Sequence, residues 1–284
     1  MILSAQQIRK SYGSQVVLDD IDITLEKGTI TGLLGRNGAG KSTLLKIISG
    51  INKPDGGKVD LQNLDIAYMS ERNPLYPHMY VTEYLSWIAA VKSVEDKPSR
   101  LAWAVTMAGL EEVKGKKISQ LSKGFRQRVG LAATIISDPD VIILDEPING
   151  LDPVQIKEYR ALIKSLSSDK IVILSSHLLQ EIEAICDEVL MIQDGQISRH
   201  ITKDKGEHQT YYIALSLDQS IDTTSLDSLE HVTYVEEKGS CDYLIEVSAS
   251  EDIRLEVFDV VIAAGCRIKE LSRKSRSLQE IFDN

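Results

Sequence analysis

The segment Gly35-Arg36-Asn37-Gly38-Ala39-Gly40-Lys41-Ser42-Thr43 constrains the fold more than any other part of the chain. It satisfies G-x-x-x-x-G-K-S/T and carries one further glycine. Thr29 to Leu34 precede it as a strand. Ser42 to Ser49 follow as a helix, with Leu44, Leu45, Ile47 and Ile48 on its buried side and Gly50 placed to end it. Glycines let backbone N–H groups curl around phosphates without Cβ clashes. The N-terminus of the following helix adds partial positive charge. Lys41 can reach the β- and γ-phosphates, and the Ser42 hydroxyl can ligate Mg²⁺.

A second segment meets the first. Val141-Ile142-Ile143-Leu144-Asp145-Glu146-Pro147 is an aliphatic strand ending in two carboxylates. Alone, such an ending reads as the start of a solvated loop. Beside the glycine loop it reads as the second wall of a phosphate crevice, because a buried parallel strand delivers its C-terminal end there. Asp145 can then hold Mg²⁺, and Glu146 can take a proton from an attacking water. Ile171 to Leu174 ends in Ser175-Ser176-His177. His177 reads either as a capping histidine or as a donor to the γ-phosphate. Tyr12 reads either as a packed aromatic or as a stacking platform for adenine.

The segment Leu121-Ser122-Lys123-Gly124-Phe125-Arg126-Gln127-Arg128 is a glycine-containing turn opening a basic helix. Ser122 and Gly124 offer a hydroxyl, backbone N–H groups and a helix N-terminus, which together make a second anion site. One nucleotide pocket needs only one such cradle.

Composition narrows the partners. The 284 residues carry a formal charge of -10, which argues against a nucleic-acid-binding protein. Apolar content of 43% and charged content of 26% are ordinary for a soluble globular chain. Cys186, Cys241 and Cys266 lack metal or redox spacing and read as reduced thiols in a reducing cytosol. His78, His177, His200, His208 and His231 lack ligand spacing. The longest purely aliphatic runs, such as Val141 to Leu144, are too short to span a bilayer. Met1-Ile2-Leu3-Ser4-Ala5-Gln6 lacks the n- and h-regions of a signal peptide. Membrane contact is therefore expected only through a partner.

Residues 1 to 34 predict strands and turns, including Val16 to Leu18 and Ile21 to Leu25, with a turn at Glu26-Lys27-Gly28. Pro54-Asp55-Gly56-Gly57 predicts a tight turn. Residues 72–138 turn helical, with Tyr84, Ile88 and Val91 on one face and Leu101, Val105 and Ala108 on another. The strands at Val141 and Ile171, separated by a helix from Pro153 to Leu166, predict a right-handed parallel crossover. Thr202 to Glu207 reads as a linker, dividing the chain into residues 1–204 and 205–284. The second part predicts strand Tyr211 to Leu217, helix Thr224 to Leu229, strand Val232 to Glu236, strand Tyr243 to Val247, helix Glu251 to Ala264 and strand Arg267 to Leu271. That order is a ferredoxin-like split βαβ arrangement. The whole is an α/β P-loop protein with a small α+β domain at its C-terminal end.

These motifs, in this order, resemble the ATP-binding subunits of ABC transporters over residues 1 to about 200. Tyr12 matches the A-loop, residues 35–43 Walker A, and Leu121-Ser122-Lys123-Gly124-Phe125 the LSGGQ signature. Residues 141–146 match Walker B with its catalytic glutamate. Asn149-Gly150-Leu151-Asp152 matches the D-loop, and His177 the switch histidine. Glu71 stands where the family has its Q-loop glutamine and is placed near Mg²⁺-bound water. Lys123 replaces the signature's second glycine and Phe125 its glutamine. These departures resemble the antibiotic-resistance and gliding-motility exporter ATPases. So do Asn73-Pro74-Leu75-Tyr76-Pro77 and the ending Ser277-Leu278-Gln279-Glu280-Ile281-Phe282.

The resemblance implies the ABC ATPase architecture: a β-rich N-terminal subdomain, a parallel-sheet core and a helical subdomain at 72–138. It implies an ATPase using ATP and Mg²⁺, with the signature acting in trans on a second ATPase subunit, most simply a second copy. It also implies separate transmembrane permease subunits, docked near Leu75, Tyr76, Pro77 and Tyr80, at the cytoplasmic face of the cell membrane. Local packing under the helical subdomain is the other reading of those four residues. Arg273, Lys274 and Arg276 read as a solvated basic surface, or as a contact for anionic lipid or a permease loop. The competing function is a non-transport ABC ATPase with a regulatory C-terminal domain. Such proteins usually carry two ATPase halves or long coiled coils, and this acidic chain has neither.

Overall fold

The computed structural model describes residues 2–202, 209–249 and 251–274. The chain divides into two compact units, Met1–Thr202 and Lys203–Asn284. Most of the expected linker lies outside the described residues, as do Arg276 and the segment 277–282.

In the first unit, β1 (Ile2–Tyr12) and β2 (Gln15–Glu26) are antiparallel and bulged, and β3 (Ile30–Leu34) follows. Then come α1 (Lys41–Ile48), β4 (Gly56–Asp60), β5 (Ile66–Met69), α2 (Val81–Val91), α3 (Lys97–Met107), α4 (Lys123–Ile135), β6 (Val141–Leu144), α5 (Pro153–Leu166), β7 (Ile171–Ser176), α6 (Leu179–Ile185), β8 (Glu188–Gln193) and β9 (Gln196–Thr202). One sheet has the order β2-β1-β4. The other has the order β5-β6-β7-β3-β8-β9, parallel except for β9.

The central strands are mostly apolar because helices and the first sheet cover both faces, with Thr31, Ser175 and Ser176 as buried polar exceptions. Every residue of β3, β6 and β7 is buried, and each fully buried Leu or Ile contributes about 1.5–3 kcal/mol. The first sheet, α1 and one face of the parallel sheet share one core, which includes Leu18, Ile21, Leu33, Leu44, Ile143 and Ile173. The helices α2, α3 and α4 build a separate core around Leu85, Ala104, Val129 and Ile136.

Three local expectations change. Gly56 and Gly57 open β4 instead of closing a turn, because the chain there already pairs with Arg9 and Gln6 of β1. Val91 is exposed, because α2 turns Val81, Tyr84, Leu85 and Ala89 inward. The first helix of the second unit spans only Thr224–Asp227.

The second unit runs β10 (Gln209–Leu217), α7 (Thr224–Asp227), β11 (Val232–Glu237), β12 (Asp242–Ala249), α8 (Arg254–Ala263) and β13 (Ile268–Lys274). Its antiparallel sheet has the order β11-β12-β10-β13, the split βαβ pattern. Leu215, Ile245, Val257 and Val261 lie in its core. Arg273 lies over the Tyr211 ring, 4.0 Å from its centre, so this member of the basic cluster is engaged within its own unit.

Candidate active site

The C-terminal ends of β3, β6 and β7 are neighbours in the sheet, and the loops leaving them form one crevice. From β3 comes the glycine loop. Gly40 caps α1 with φ 106°, and a Cβ there would stand 2.8 Å from the Val17 carbonyl oxygen. Only glycine fits that turn. No side chain caps α1, so its first N–H groups are offered to a ligand, as an anion-binding helix start requires. Lys41 is 6% exposed and donates to the carbonyls of Gly35 (2.8 Å) and Arg36 (3.3 Å). The side chain is therefore drawn back over the loop of Gly35, Arg36, Asn37, Gly38 and Ala39.

From β6 come Asp145 and Glu146, both buried. Asp145 Oδ1 accepts from Ser42 Oγ (3.1 Å) and Ser175 Oγ (2.7 Å), and its Oδ2 accepts from the Tyr68 hydroxyl (2.9 Å). Burial first, and then the Asp145 charge, pushes the Tyr68 phenol well above its ordinary value, so it stays a donor. Glu146 has φ 47°, and its N–H donates to Ser175 Oγ at 2.9 Å. Its Oε1 lies 3.4 Å from Lys41 Nζ, and its Oε2 lies 2.9 Å from His177 Nδ1. His177 reaches in from the end of β7, where Ser176 bonds Glu181 and the Leu178 N–H. Thr43 sits in the first turn of α1.

Among the described residues no group of three or more His, Cys, Asp or Glu is placed to hold a metal ion. One hydroxyl and one carboxylate, bonded to each other, fit a different demand. Mg²⁺ binds through one or two protein oxygens plus the phosphates of its nucleotide, so Ser42 and Asp145 suit that ion.

The other expected residues fall elsewhere. Tyr12 ends β1 with its ring half exposed, and its hydroxyl accepts from Asn52 Nδ2 at 3.1 Å. Leu121 is buried in the helical core, while Phe125 packs against that core. Ser122 is the N-cap of α4, accepting from the Phe125 N–H at 3.3 Å. Gly124 lies against the Gln155 side chain, and the Lys123 ammonium fills the space beside Gly150. Asp152 caps α5 through the Gln155 N–H at 2.9 Å. The starts of α4 and α5 are thus packed together. Among the described residues, no hydrogen bond or ion pair joins Leu121 to Phe125 with Gly35 to Thr43.

Glu71 departs from expectation. It does not join Ser42 and Asp145; its Oε1 accepts from Asn149 Nδ2 at 3.4 Å. The chain leaves the sheet at Met69, so Glu71 stays exposed while Asp145 is 2% exposed. Its charge still reaches Tyr68, as the weakest of the influences on that phenol. Tyr68 and Ser175 were missed as site residues. Ser175 stands inside a segment singled out by sequence and Tyr68 three residues before Glu71, but only the neighbouring of β5, β6 and β7 turns them onto Asp145.

The comparisons with known proteins agree with this geometry. The model of the ABC transporter family matches residues 18–149. A lantibiotic transport ATP-binding protein of Streptococcus pyogenes is 33% identical over 69% of this chain and 89% of its own length. The chain belongs to the ABC transporter ATP-binding proteins. A bacitracin transport ATP-binding protein of Enterococcus faecalis is 30% identical over 100% of this chain and 92% of its own length. A bacterial ABC transporter cassette solved as a dimer is 23% identical, with TM-score 0.66 over 72% of this chain and 100% of that one, and shares its fold. As an ABC ATPase, this chain binds and hydrolyses ATP; Lys41, Ser42, Asp145, Glu146 and His177 meet in the crevice between α1 and β6.

Proposed function

We propose that this ABC ATPase powers an exporter. Two copies close around ATP and Mg²⁺ at the cytoplasmic face of the cell membrane, bound to separate permease subunits. The observation that carries this reading is the separation of its two phosphate-binding helix starts. Lys41, Ser42, Asp145, Glu146 and His177 meet in one crevice, while Ser122 and Gly124 are packed against the start of α5. A signature that does not join its own crevice is suited to complete the crevice of a second copy. Relatives named for lantibiotic and bacitracin transport support a role in transport, and the likeness of Lys123, Phe125 and Glu71 to the exporter ATPases favours export as the direction.

In this reading the α1 N–H groups and Lys41 hold the phosphates. Ser42 and Asp145 would hold Mg²⁺, which would neutralise charge developing on the phosphates. Glu146, oriented by His177 and by its N–H bond to Ser175, accepts the proton of the attacking water. Tyr12 stacks on the base. Ser122 and Gly124, with Leu121, Lys123 and Phe125 framing them, donate to the γ-phosphate of the partner's nucleotide. Asp152 holds the D-loop end against α5, and Glu71 holds the same loop through Asn149.

The permease would dock at the cleft lined by Arg72, Asn73, Leu75, Pro77, Ile118 and Arg126. Beside it the rings of Tyr76, Tyr84 and Trp87 contact one another, and Tyr76, Tyr80 and Trp87 remain exposed. No helix among the described residues is long and apolar enough to cross a membrane; in this reading the permease subunits supply the pathway.

Sedimentation of Glu146→Gln in saturating ATP and Mg²⁺ tests the composite site. The variant should run as a dimer with nucleotide and as a monomer without it. A monomer in both conditions would remove the case for nucleotide-driven closure of the isolated subunit.

A further inference from the structure

Three hydroxyls from three elements converge on the Asp145 carboxylate. Ser42 reaches Oδ1 from α1, Ser175 reaches the same oxygen from β7, and Tyr68 reaches Oδ2 from β5. Asp145 is 2% exposed, so solvent is poorly placed to replace a lost donor. Two of the hydroxyls have further work. Ser42 keeps its lone pairs for a cation while donating its proton, and Ser175 also accepts the Glu146 N–H. Tyr68 has no other hydrogen-bond partner among the described residues.

A carboxylate offers about four acceptor positions. Two donors occupy Oδ1 and Tyr68 occupies one side of Oδ2, which leaves the remaining acceptor on the oxygen that Tyr68 holds. The planar carboxylate turns about the Cβ–Cγ bond as one unit, so donors on both oxygens fix its plane, and without the Tyr68 hydroxyl only the two bonds at Oδ1 resist that rotation. Groups that orient a metal ligand in this way tune metal affinity without touching the ion.

The geometry points to Tyr68 as a positioning residue for the divalent cation. Its hydroxyl sets the plane of the Asp145 carboxylate and so the acceptor left on Oδ2. The inference rests on the assignment of Ser42 and Asp145 to Mg²⁺. A phenylalanine keeps the ring and its packing beside β6 and removes only the donor.

The test uses the full chain with a non-hydrolysable ATP analogue, titrated with Mn²⁺ and read by electron paramagnetic resonance. Wild type, Tyr68→Phe and Asp145→Asn are compared. A fluorescent analogue in EDTA measures nucleotide affinity without metal, and thermal melting reports the fold. Tyr68→Phe should weaken Mn²⁺ by about 10-fold, with metal-free nucleotide affinity unchanged and the chain still folded at the assay temperature, the lost hydrogen bond lowering the melting midpoint only modestly. If Asp145→Asn loses Mn²⁺ while Tyr68→Phe matches wild type, the role of Tyr68 is overturned and the metal pair stands. If Tyr68→Phe loses Mn²⁺, metal-free nucleotide and melting temperature together, the hydroxyl supports the fold and the inference fails. If Asp145→Asn binds Mn²⁺ as wild type does, the metal pair itself is wrong.

Discussion

Glu146 is held between a cation and an imidazole, with Lys41 on one oxygen and His177 on the other. A buried carboxylate bound on both sides keeps one orientation, as a general base needs. Glu146→Gln is isosteric and removes the proton acceptor. Phosphate release should fall about 10²–10⁴-fold while fluorescent-nucleotide binding persists; an equal loss of binding would mean that the ion pair to Lys41 shapes the glycine loop instead. Ser175 is the hub behind this arrangement, accepting from the Glu146 N–H and donating to Asp145. Ser175→Ala leaves that N–H buried without an acceptor and should cost about 1–3 kcal/mol in urea denaturation. The placing of Asp145 and Glu146 beside the glycine loop was legible in the chain, because a buried parallel strand delivers its C-terminal end there. The serine hub was not, because its partners lie 29 and 30 positions away along the chain.

Two helices begin side by side, α4 with a serine cap and α5 with an aspartate cap. Asp152→Ala should lower stability by about 0.5–2 kcal/mol, read by thermal melting. Ser122 separates two roles. Asparagine caps a helix about as well as serine, so Ser122→Asn should keep the melting temperature near wild type. ATP hydrolysis should still fall if the hydroxyl serves a partner's phosphate, and full activity in Ser122→Asn would leave it as a cap alone. The helix from Pro153 to Leu166 was readable from sequence by its helical periodicity, whereas Ser122 and Asp152 show themselves as caps only in the structure. The extents of β4 and the inward face of α2 were not readable. Pairing with β1 extends the chain at Gly56 against its turn preference, and packing against α3 and α4 chooses Leu85 and Ala89 over Val91.

At the scale of the molecule, the helical subdomain keeps its own core apart from the sheet and leaves aromatic side chains uncovered beside the cleft near Leu75. Tyr76 is 52% exposed and Trp87 42%, a cost in apolar surface that a bound partner removes. Leu75→Glu with Tyr76→Glu should reduce recovery of the permease from solubilised membranes while nucleotide affinity stays at the wild-type value. Unchanged recovery would place the docking surface elsewhere.

The sequence by itself determined the class of machine. A glycine loop between strand and helix, an aliphatic strand ending in Asp145 and Glu146, and a second glycine-opened helix at Ser122 each have a local physical signature that survives without coordinates. Tertiary structure decided which of these residues meet. The order of β5, β6, β7 and β3 brings Tyr68, Asp145, Ser175 and Ser42 together. The exit of the chain at Met69 carries Glu71 to Asn149 instead. The packing of α4 on α5 sets the signature beside Gln155, apart from the glycine loop. Strand order is a property of non-local pairing, and no period or spacing along the chain records it.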